Sequence, residues 1–376
     1  MPHWIDPVSW NDPDALFYQA KTLHFRGQNE RAALYRTFFS PIANQLQRDE
    51  QRYPRKEGPQ YTSPRWIDYN RQFFRRRPVV PLMAAGIYPA FGIRSLLTVS
   101  MLGYILLALA LYALLRRRFS PTISVVATTA CILLPPLRNF SFLPMTDSWG
   151  VLLETCALLA AVLTFDRGMR WLAVWVAAIV ALALTRDATV IPLVAVLCLA
   201  IQQRDRRSGL LAATGVAAVL PTLLFGNASV RENLAYVFSN YYPPKDGSWN
   251  FVLREYWPHF RHLVREDLLY GTHLGAWGPV WYLGLAIVAV GLLLLINSIR
   301  RTDPFFRLLG YSVVGAFVFL LLFGAYSGLR QELVFIPPIA AGLALLMDTA
   351  VRSEALRRRT AKPPAAPPPR GAVEAG

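Results

Sequence analysis

The stretch SLLTVSMLGYILLALALYALLRRR, residues 95–118, indicates the fold class of the chain by itself. Residues 95–115 carry no charged side chain, and three arginines follow at once. A helix of about 20 residues crosses a hydrocarbon core of about 30 Å, so this stretch is long enough for one transmembrane helix. The arginines at its end are typical of a segment that stops at the cytoplasmic face of a membrane.

Further apolar runs follow along the chain. Some are charge-free and of similar length, one is interrupted only by Glu154, and the rest are shorter. The charge-free runs are residues 119–137, 208–226, 274–299 and 308–329, the run with Glu154 is residues 148–165, and the short runs are residues 171–185, 188–201 and 333–347. We therefore predict an all-α polytopic membrane protein of about nine transmembrane helices, in which the short runs are tilted, short or partly re-entrant.

The composition agrees with a membrane protein and excludes two other classes. Hydrophobic residues make up 54% of the chain and charged residues only 16%, below the roughly 25% of soluble domains. The 39 Lys and Arg against 23 Asp and Glu give a net charge of +16. A soluble nucleic-acid-binding protein of this basicity is charge-rich throughout, so we expect no nucleic-acid partner. The apolar content excludes a largely disordered chain.

Basic residues alternate between the connections in a way that predicts the orientation. Connections with several arginines alternate with connections that carry one. The rich connections hold Arg116, Arg117 and Arg118, then Arg167 and Arg170, then Arg204, Arg206 and Arg207, then Arg300, Arg301 and Arg307, and the poor ones hold Arg138, Arg186 and Arg330. Under the positive-inside rule the rich connections and the C-terminus are cytoplasmic, and residues 1–93 face outward.

Three regions follow from this orientation. Residues 1–93 form an outward-facing region with amphipathic helices and a candidate catalytic aspartate. Residues 94–351 form the membrane domain, which includes a large outward loop, residues 227–273. This loop is rich in aromatic side chains, so we expect it to fold at the membrane surface. Residues 352–376 form a cytoplasmic tail whose basic, proline-rich composition is typical of disorder.

The first candidate site residues are Asp12 and Asp14, in the sequence NDPDALFYQA, residues 11–20. The pattern predicts a helix, since Asp12 can cap it and Pro13 suits its first position. Asp14 would face the positive end of the helix dipole. Both carboxylates could serve only to start the helix. The alternative is that one of them acts as a general base, or binds a divalent ion, at the membrane surface.

Acidic residues also open a predicted membrane helix. Asp147 lies at the start of the run, and Glu154 lies two turns further on the same face, about 10 Å deeper by helix rise. A carboxylate within hydrocarbon is costly and normally faces a polar cavity or a partner. Two interpretations stay open: a water-accessible acidic cavity that runs inward from the outer surface, or a structural pairing of these side chains.

Single arginines in the outward connections are candidates for binding an anion. Arg186 lies in the sequence LTRDA, residues 184–188, and Arg330 lies in GLRQE, residues 328–332. A guanidinium group binds phosphate through paired, charge-assisted hydrogen bonds. The alternative for Arg186 is that its neighbour Asp187 simply neutralises it.

Two other groups of residues carry weaker signals. The adjacent arginines at positions 75–77 are typical of a lipid-headgroup anchor, although they could also attract an anionic lipid substrate. The histidines of the aromatic loop, His259, His262 and His273, lack close partners at metal-ligand spacing. The sequence therefore defines no metal site.

The order of the motifs resembles that of the multi-spanning GT-C glycosyltransferases, and more narrowly the branch of protein O-mannosyltransferases and aminoarabinose transferases. The motifs are D-x-x-x-Y at Asp14 and Tyr18, T-D at Asp147, L-T-R at Arg186, and an arginine shortly before a proline at Arg330. The resemblance covers roughly residues 10–350. It implies that Asp14 is the catalytic carboxylate, with Asp12 as the adjacent alternative and Asp147 as a second acidic group. Gln331 stands where the family has an aromatic residue.

The resemblance implies a glycosyltransferase of the bacterial plasma membrane. It would move a sugar from a polyprenyl-phosphate donor to a saccharide, lipid or protein acceptor on the outer face of the bilayer, with inversion. Arg186 and Arg330 would bind the donor phosphate, and a Mg²⁺ or Mn²⁺ ion could assist. Glu154 and Tyr18 would line the polar cavity. Two other classes stay open: a lipid or polysaccharide flippase, and a non-catalytic envelope-assembly protein.

Nine spans with a cytoplasmic C-terminus would place a basic N-terminal region outside without a leading helix, which is unfavourable for translocation. We therefore expect the natural protein to have one more N-terminal transmembrane helix. The gene sequence upstream of Met1 tests this expectation. An in-frame apolar segment of about 20 codons is the expected finding, and an upstream stop codon with no such segment would contradict it.

Overall fold

The computed structural model describes residues 13–39, 63–223, 229–239, 243–273, 278–323 and 330–360. Helices make up most of these ranges, and no strand occurs within them. The predicted all-α class is therefore confirmed for the described part of the chain. Asp12, one of the candidate site residues, lies outside these ranges.

Four helices precede the first long apolar helix. They are α1 (Pro13–Phe25), α2 (Glu30–Phe38), α3 (Pro64–Arg75) and α4 (Val79–Phe91). Pro13 occupies the first position of α1, and Gly27 follows the helix with a φ of +92°, a conformation that L side chains rarely adopt. Asn29 caps α2 and Ser63 caps α3, because their side-chain oxygens accept backbone N–H groups of the first turn.

α1 packs against α2 and α3 through aromatic side chains. Phe17 stacks on Phe74 of α3 with ring centroids 4.4 Å apart, and it meets Phe38 of α2 at 4.9 Å. Tyr18 meets Phe74 edge-on at 5.1 Å. Aromatic pairs of this kind add about 0.5–1.5 kcal/mol beyond the burial of their area. The start of α1 is thereby held in a fixed position.

The remaining described helices follow in chain order. They are α5 (Ser95–Leu115), α6 (Pro121–Ile132), α7 (Pro135–Ser141), α8 (Asp147–Arg167), α9 (Leu172–Ala183), α10 (Val190–Gln203), α11 (Arg206–Leu223), α12 (Val230–Phe238), α13 (Trp249–His273), α14 (Gly278–Asn297), α15 (Pro304–Phe323) and α16 (Ile336–Thr360). Short 3₁₀ turns lie at Gly92–Arg94, Met169–Trp171, Asp187–Thr189, Ser298–Arg300 and Gln331–Phe335. Every apolar run of the sequence overlaps at least one of these helices.

The number of membrane crossings differs from the nine expected. Within the described ranges, 5 helical segments are long and apolar enough to cross a membrane: Val79–Leu115, Asp147–Arg167, Gly278–Arg300, Pro304–Leu322 and Gln331–Glu354. α6 and α7 make a sixth only if the pair counts as one span, because they meet at a bend of 66°. Met169–Ala183 and Asp187–Gln203 are shorter, and α11 begins with two arginines that lower its hydropathy. A multi-pass membrane protein is supported, whereas nine spans are not confirmed.

Arg118 joins helices at one end of the bundle. Its guanidinium binds Asp303 before α15, with Nε 2.6 Å from Oδ2, and Asp166 near the end of α8, with Nη2 2.9 Å from Oδ1. At the same end Arg207 donates to the carbonyl oxygen of Phe165 at 2.9 Å. The arginine-rich connections therefore lie together, and we call this end of the bundle the basic end.

α8 runs from the basic end to the opposite end. Its 21 residues rise about 30 Å, the thickness of the hydrocarbon core. It is the most deeply packed of the segments that can span a membrane, with 78% of its apolar window buried. Asp166 lies at the basic end, so Asp147, the first residue of the helix, lies at the other. We call that other end the Asp147 end.

The predicted outward loop, residues 227–273, contains two helices, α12 and α13. Tyr236 of α12 stacks on Phe73 of α3 with ring centroids 5.1 Å apart, so this loop contacts the N-terminal region. The hydroxyl of Tyr256 on α13 donates to the carbonyl oxygen of Leu321, near the end of α15, at 2.6 Å. Because α15 starts at the basic end, this contact places α13 at the Asp147 end.

α14 is joined to α16 by a close backbone contact. A Cβ atom on Gly342 would lie 2.7 Å from the carbonyl carbon of Gly291, so neither position has room for a side chain. Most of the rest of α14 faces away from the bundle, with 11% of its apolar window buried. α16 itself continues to Thr360, past the boundary at residue 351 expected between the membrane domain and the tail.

Candidate functional site

Polar segments from distant parts of the chain meet at the Asp147 end of the bundle. They are the start of α1 (Asp14 and Tyr18), the turn before α4 (Arg76 and Arg77), the start of α8 (Thr146 and Asp147), the turn between α9 and α10 (Arg186 and Asp187), and the residues at the start of Gln331–Phe335 (Arg330 and Gln331). Most lie at helix ends, where backbone polar groups lack partners within the helix. Four of the residues predicted from the sequence contact one another directly.

The guanidinium group of Arg330 links two of the predicted acidic residues. Its Nη1 donates to Oδ2 of Asp14 at 2.6 Å, and its Nε donates to Oδ1 of Asp147 at 3.0 Å. Asp147 is completely buried, whereas the side chain of Asp14 is 30% exposed. The first helix of the chain and α8 therefore share one cation, and the carboxylate of Asp14 is the one that solvent can reach.

Arg186 supplies the second cation. Its Nη1 donates to the same oxygen of Asp147, Oδ1. Its Nη2 donates to Oε1 of Gln331 at 3.0 Å and contacts the carbonyl oxygen of Arg330 at 3.4 Å. A Cβ atom on Gly150 would lie 3.0 Å from Cδ of Arg186, so this glycine leaves the space that the arginine fills. We call Asp14, Asp147, Arg186 and Arg330 the ionic cluster.

Tyr18 and Arg77 extend the ionic cluster. The hydroxyl of Tyr18 lies 3.1 Å from Oγ1 of Thr146 and accepts a hydrogen bond from Nη1 of Arg77 at 3.2 Å. Nη2 of Arg77 donates to Oδ2 of Asp187 at 3.0 Å, and Nη2 of Arg76 lies 2.5 Å from its Oδ1. Two arginines of the α3–α4 turn thus bind one carboxylate of the α9–α10 turn.

The pairing of Asp187 differs from the direct Arg186–Asp187 pair that the sequence suggested as one alternative. The ion-pair contacts of Asp187 are to Arg76 and Arg77 and not to Arg186, whose backbone is extended (φ −159°, ψ 160°), so that neighbouring side chains point in different directions. Arg76 and Arg77 are not simply a headgroup anchor, because both face this half-buried carboxylate. The signal in the sequence was Asp187 itself, an acidic residue between apolar runs that requires a counter-ion.

Arg77 keeps its charge although it is enclosed. Burial lowers the pKa of a guanidinium group, but the adjacent Tyr18 and Asp187 raise it, and the net effect lifts the pKa of Arg77 above its ordinary value. A permanently charged Arg77 therefore holds the Tyr18 hydroxyl and the Asp187 carboxylate in place. This contact fixes the distance between α1 and the α9–α10 turn.

Glu154 lies two turns into α8 and is completely buried. Neither of its carboxylate oxygens has a hydrogen-bond partner in the described residues, and Arg186 is the charged group that acts on it through space. Oδ2 of Asp147 also lacks a hydrogen-bond partner among the described residues. Along α8, the hydrogen bonds of the ionic cluster therefore reach Asp147 but not Glu154, the carboxyl group two turns further on.

The residues of this site do not fit a divalent cation. The described part of the chain has no group of three or more His, Cys, Asp or Glu side chains that could hold a metal ion. Asp14 and Asp147 have the guanidinium group of Arg330 between them, and its charge repels a cation at that position. We therefore assign no chemical step to Mg²⁺ or Mn²⁺.

No family model matches the chain, and neither a curated protein nor a solved structure matches it. The resemblance to GT-C glycosyltransferases stays a prediction from the short motifs quoted above. The chemistry of the ionic cluster is therefore argued from its own geometry.

Replacing Asp147 by asparagine should strongly destabilise the protein. The change leaves two enclosed guanidinium groups against a neutral amide, and removing one partner of a buried ion pair costs about 3–5 kcal/mol. The control is Asp348→Asn on α16, which breaks a pair with the exposed Arg352 worth about 1 kcal/mol or less. Thermal unfolding in detergent should show a much larger fall in melting temperature for Asp147→Asn. Equal falls would contradict this role of Asp147.

Proposed function

We propose that the protein is a membrane glycosyltransferase that moves a sugar from a polyprenyl-phosphate donor to a hydroxyl group of a cell-envelope acceptor. The observation that carries this proposal is the contact of Arg330 with Asp14 and Asp147 beside a second cation, Arg186. Such a set offers, in one place, a carboxylate that can accept a proton and two cations that can stabilise a phosphate leaving group. The motif resemblance points to the same chemistry.

Arg186 and Arg330 suit a phosphate because their guanidinium groups meet at one carboxylate oxygen. A donor phosphate would compete with Asp14 and Asp147 for the same N–H donors, and bidentate arginine–phosphate pairs are strong. The phosphate gains negative charge as the sugar–oxygen bond breaks, and cations already in position stabilise that charge without reorganising. Donor binding would therefore exchange the resting ion pairs for phosphate contacts.

Release from Arg330 would make Asp14 available as the general base. Its carboxylate takes the proton of the acceptor hydroxyl while the hydroxyl oxygen forms a bond to the anomeric carbon. The bond between that carbon and the phosphate oxygen breaks, and polyprenyl phosphate leaves with the electron pair. Because the nucleophile displaces the leaving group in one step, the anomeric configuration inverts. Tyr18, four residues along the same helix face, holds α1 in register through Thr146 and Arg77.

An apolar cavity beside the ionic cluster suits the lipid chain of such a donor. Its volume is about 700 Å³, and it lies between α7, α14 and the first turn of α16. Pro136, Trp281 and Leu285 are among its apolar lining, and Arg138 and Glu332 are its charged residues. Leu333 also lines it, three positions after Arg330, so a lipid chain in the cavity would lead to the arginine that binds the phosphate.

We assign the ionic cluster to the outer face of a bacterial plasma membrane. The basic end collects the arginine-rich connections, which the positive-inside rule assigns to the cytoplasm. α8 separates the basic end from Asp147 by about 30 Å, one membrane thickness. The donor must then be lipid-linked, because cytosolic nucleotide sugars do not reach that face.

Glu154 favours a second candidate, a lipid or polysaccharide flippase. An enclosed carboxyl group within a membrane helix is often part of an ion or proton pathway in a transporter. A flippase would move the lipid-linked sugar across the bilayer without breaking the bond between sugar and phosphate. Mass spectrometry of the lipid after incubation with reconstituted protein separates the two functions, since only the transferase releases polyprenyl phosphate. A non-catalytic assembly protein would do neither.

Asp14→Asn should abolish sugar transfer while the protein still folds and inserts. Removal of a general base lowers a rate by about 10²- to 10⁴-fold. Purified protein is incubated with a panel of radiolabelled polyprenyl-phosphate sugars and a cell-envelope extract as the source of acceptor. The control is Asp68→Asn on α3, whose carboxylate contacts Tyr35 and Arg31 away from the ionic cluster. Full activity of Asp14→Asn would refute the assignment of the base.

A further inference from the structure

A second cavity lies on the neighbouring face of α1, outside the ionic cluster. Its volume is about 460 Å³, and it lies between α1, α2, α3 and the turn before α4. Lys21 and His24 line it from α1, while Arg71 and Arg75 line it from α3. A water molecule takes about 30 Å³ in the liquid. The cavity is therefore far larger than a site for one ion.

The charged lining of this cavity is strongly basic. Its charged side chains, with His24 neutral, are Lys21, Arg71, Arg75, Arg76 and Glu30. Glu30 is shared by Arg71 at 3.8 Å and Arg75 at 3.9 Å, distances too long for good hydrogen bonds. Arg76 forms an ion pair with Asp187, next to the ionic cluster. Even with that pair counted as neutral, a surplus of positive charge faces the cavity.

Lys21 is a partly buried cation of this lining. Its ammonium group donates to the carbonyl oxygen of Phe74 at 2.7 Å and to that of Arg75, at the end of α3. An ammonium group has three N–H donors, so it can still bind one more acceptor. Burial lowers the pKa of Lys21 to about 8; Glu30 opposes this shift, and Arg77 and Arg75 add to it. A bound anion would favour the charged form.

The cavity is also lined by apolar side chains. Phe25, Leu34 and Phe74 line it. Pro78 and Leu184 also line the cavity. Pro78 directly follows Arg77, and Leu184 lies two positions before Arg186, so this part of the cavity approaches the ionic cluster. A ligand that fills the cavity would thus combine an anionic group with a ring or another apolar group.

We propose that this cavity binds a phosphate-bearing ligand, with its phosphate on Lys21, Arg71 and Arg75 and the rest of the ligand against Phe25 and Phe74. Several cations around one cavity favour a multivalent anion over a single carboxylate. The identification of this ligand as the sugar acceptor rests on the proposed function: its hydroxyl group would then reach Asp14 from the next face of α1. Binding of a phosphate-bearing ligand in the cavity can be measured without any sugar transfer.

Acylation of Lys21 gives a direct readout of binding. The chain has lysines only at positions 21, 56, 245 and 362, so mass spectrometry distinguishes each of them. The full chain in detergent is treated with an amine-acylating reagent at pH 8, with and without inorganic pyrophosphate. Saturating pyrophosphate should slow the acylation of Lys21 by about tenfold or more, because only the unbound fraction reacts. The rate at the exposed Lys245 should not change.

Matched variants locate the effect. Arg71→Gln should lose the protection, whereas Arg65→Gln, on the exposed side of the same helix and outside the cavity, should keep it. Asp14→Asn should keep the protection while it loses sugar transfer, so failure of this proposal and failure of the proposed function give different results. Equal acylation of Lys21 with and without pyrophosphate would overturn the proposal. Equal protection by glucuronate would overturn the preference for phosphate.

Discussion

The arrangement of the Asp147 end depends on one guanidinium group, that of Arg330. It binds Asp14 and Asp147 at the same time, although these partners lie 316 and 183 positions away in the sequence. A buried charge without its counter-ion is costly, so the start of α1 and the start of α8 stay beside Arg330. Arg186 brings in the α9–α10 turn through the same oxygen of Asp147. Distant parts of the chain meet here because their charges compensate one another.

The helices were predictable from the sequence, whereas the crossings were not. An apolar run of about 20 residues favours a helix in a bilayer because every backbone group is satisfied within it. Residues 119–137 are such a run, yet the structure divides them into α6 and α7 with a bend of 66°. Pro135 begins α7, and a proline has no N–H to continue the preceding helix. Hydropathy averages over such a break and therefore cannot detect it.

Three of the four members of the ionic cluster were predictable from their positions beside apolar runs. Asp147, Arg186 and Arg330 lie at the ends of apolar runs, where an unpaired charge is costly and a counter-ion or a polar cavity is expected. What the sequence could not supply was the pairing. Asp187 turns away from Arg186 and binds Arg77, a contact across 110 positions that depends on how α3 and α4 meet the α9–α10 turn. Partner choice is set by the packing of helices, which a single sequence does not specify.

A pair of double-mutant cycles on thermal stability tests most directly whether Arg330 binds both carboxylates at once. The variants are Arg330→Gln, Asp14→Asn and Asp147→Asn, with the two double variants that include Arg330→Gln, all measured in the same detergent. The contacts predict a coupling energy of about 1 kcal/mol or more in each cycle, because residues in one ionic network are not independent. Effects that add to within about 0.5 kcal/mol in either cycle would contradict the shared contact.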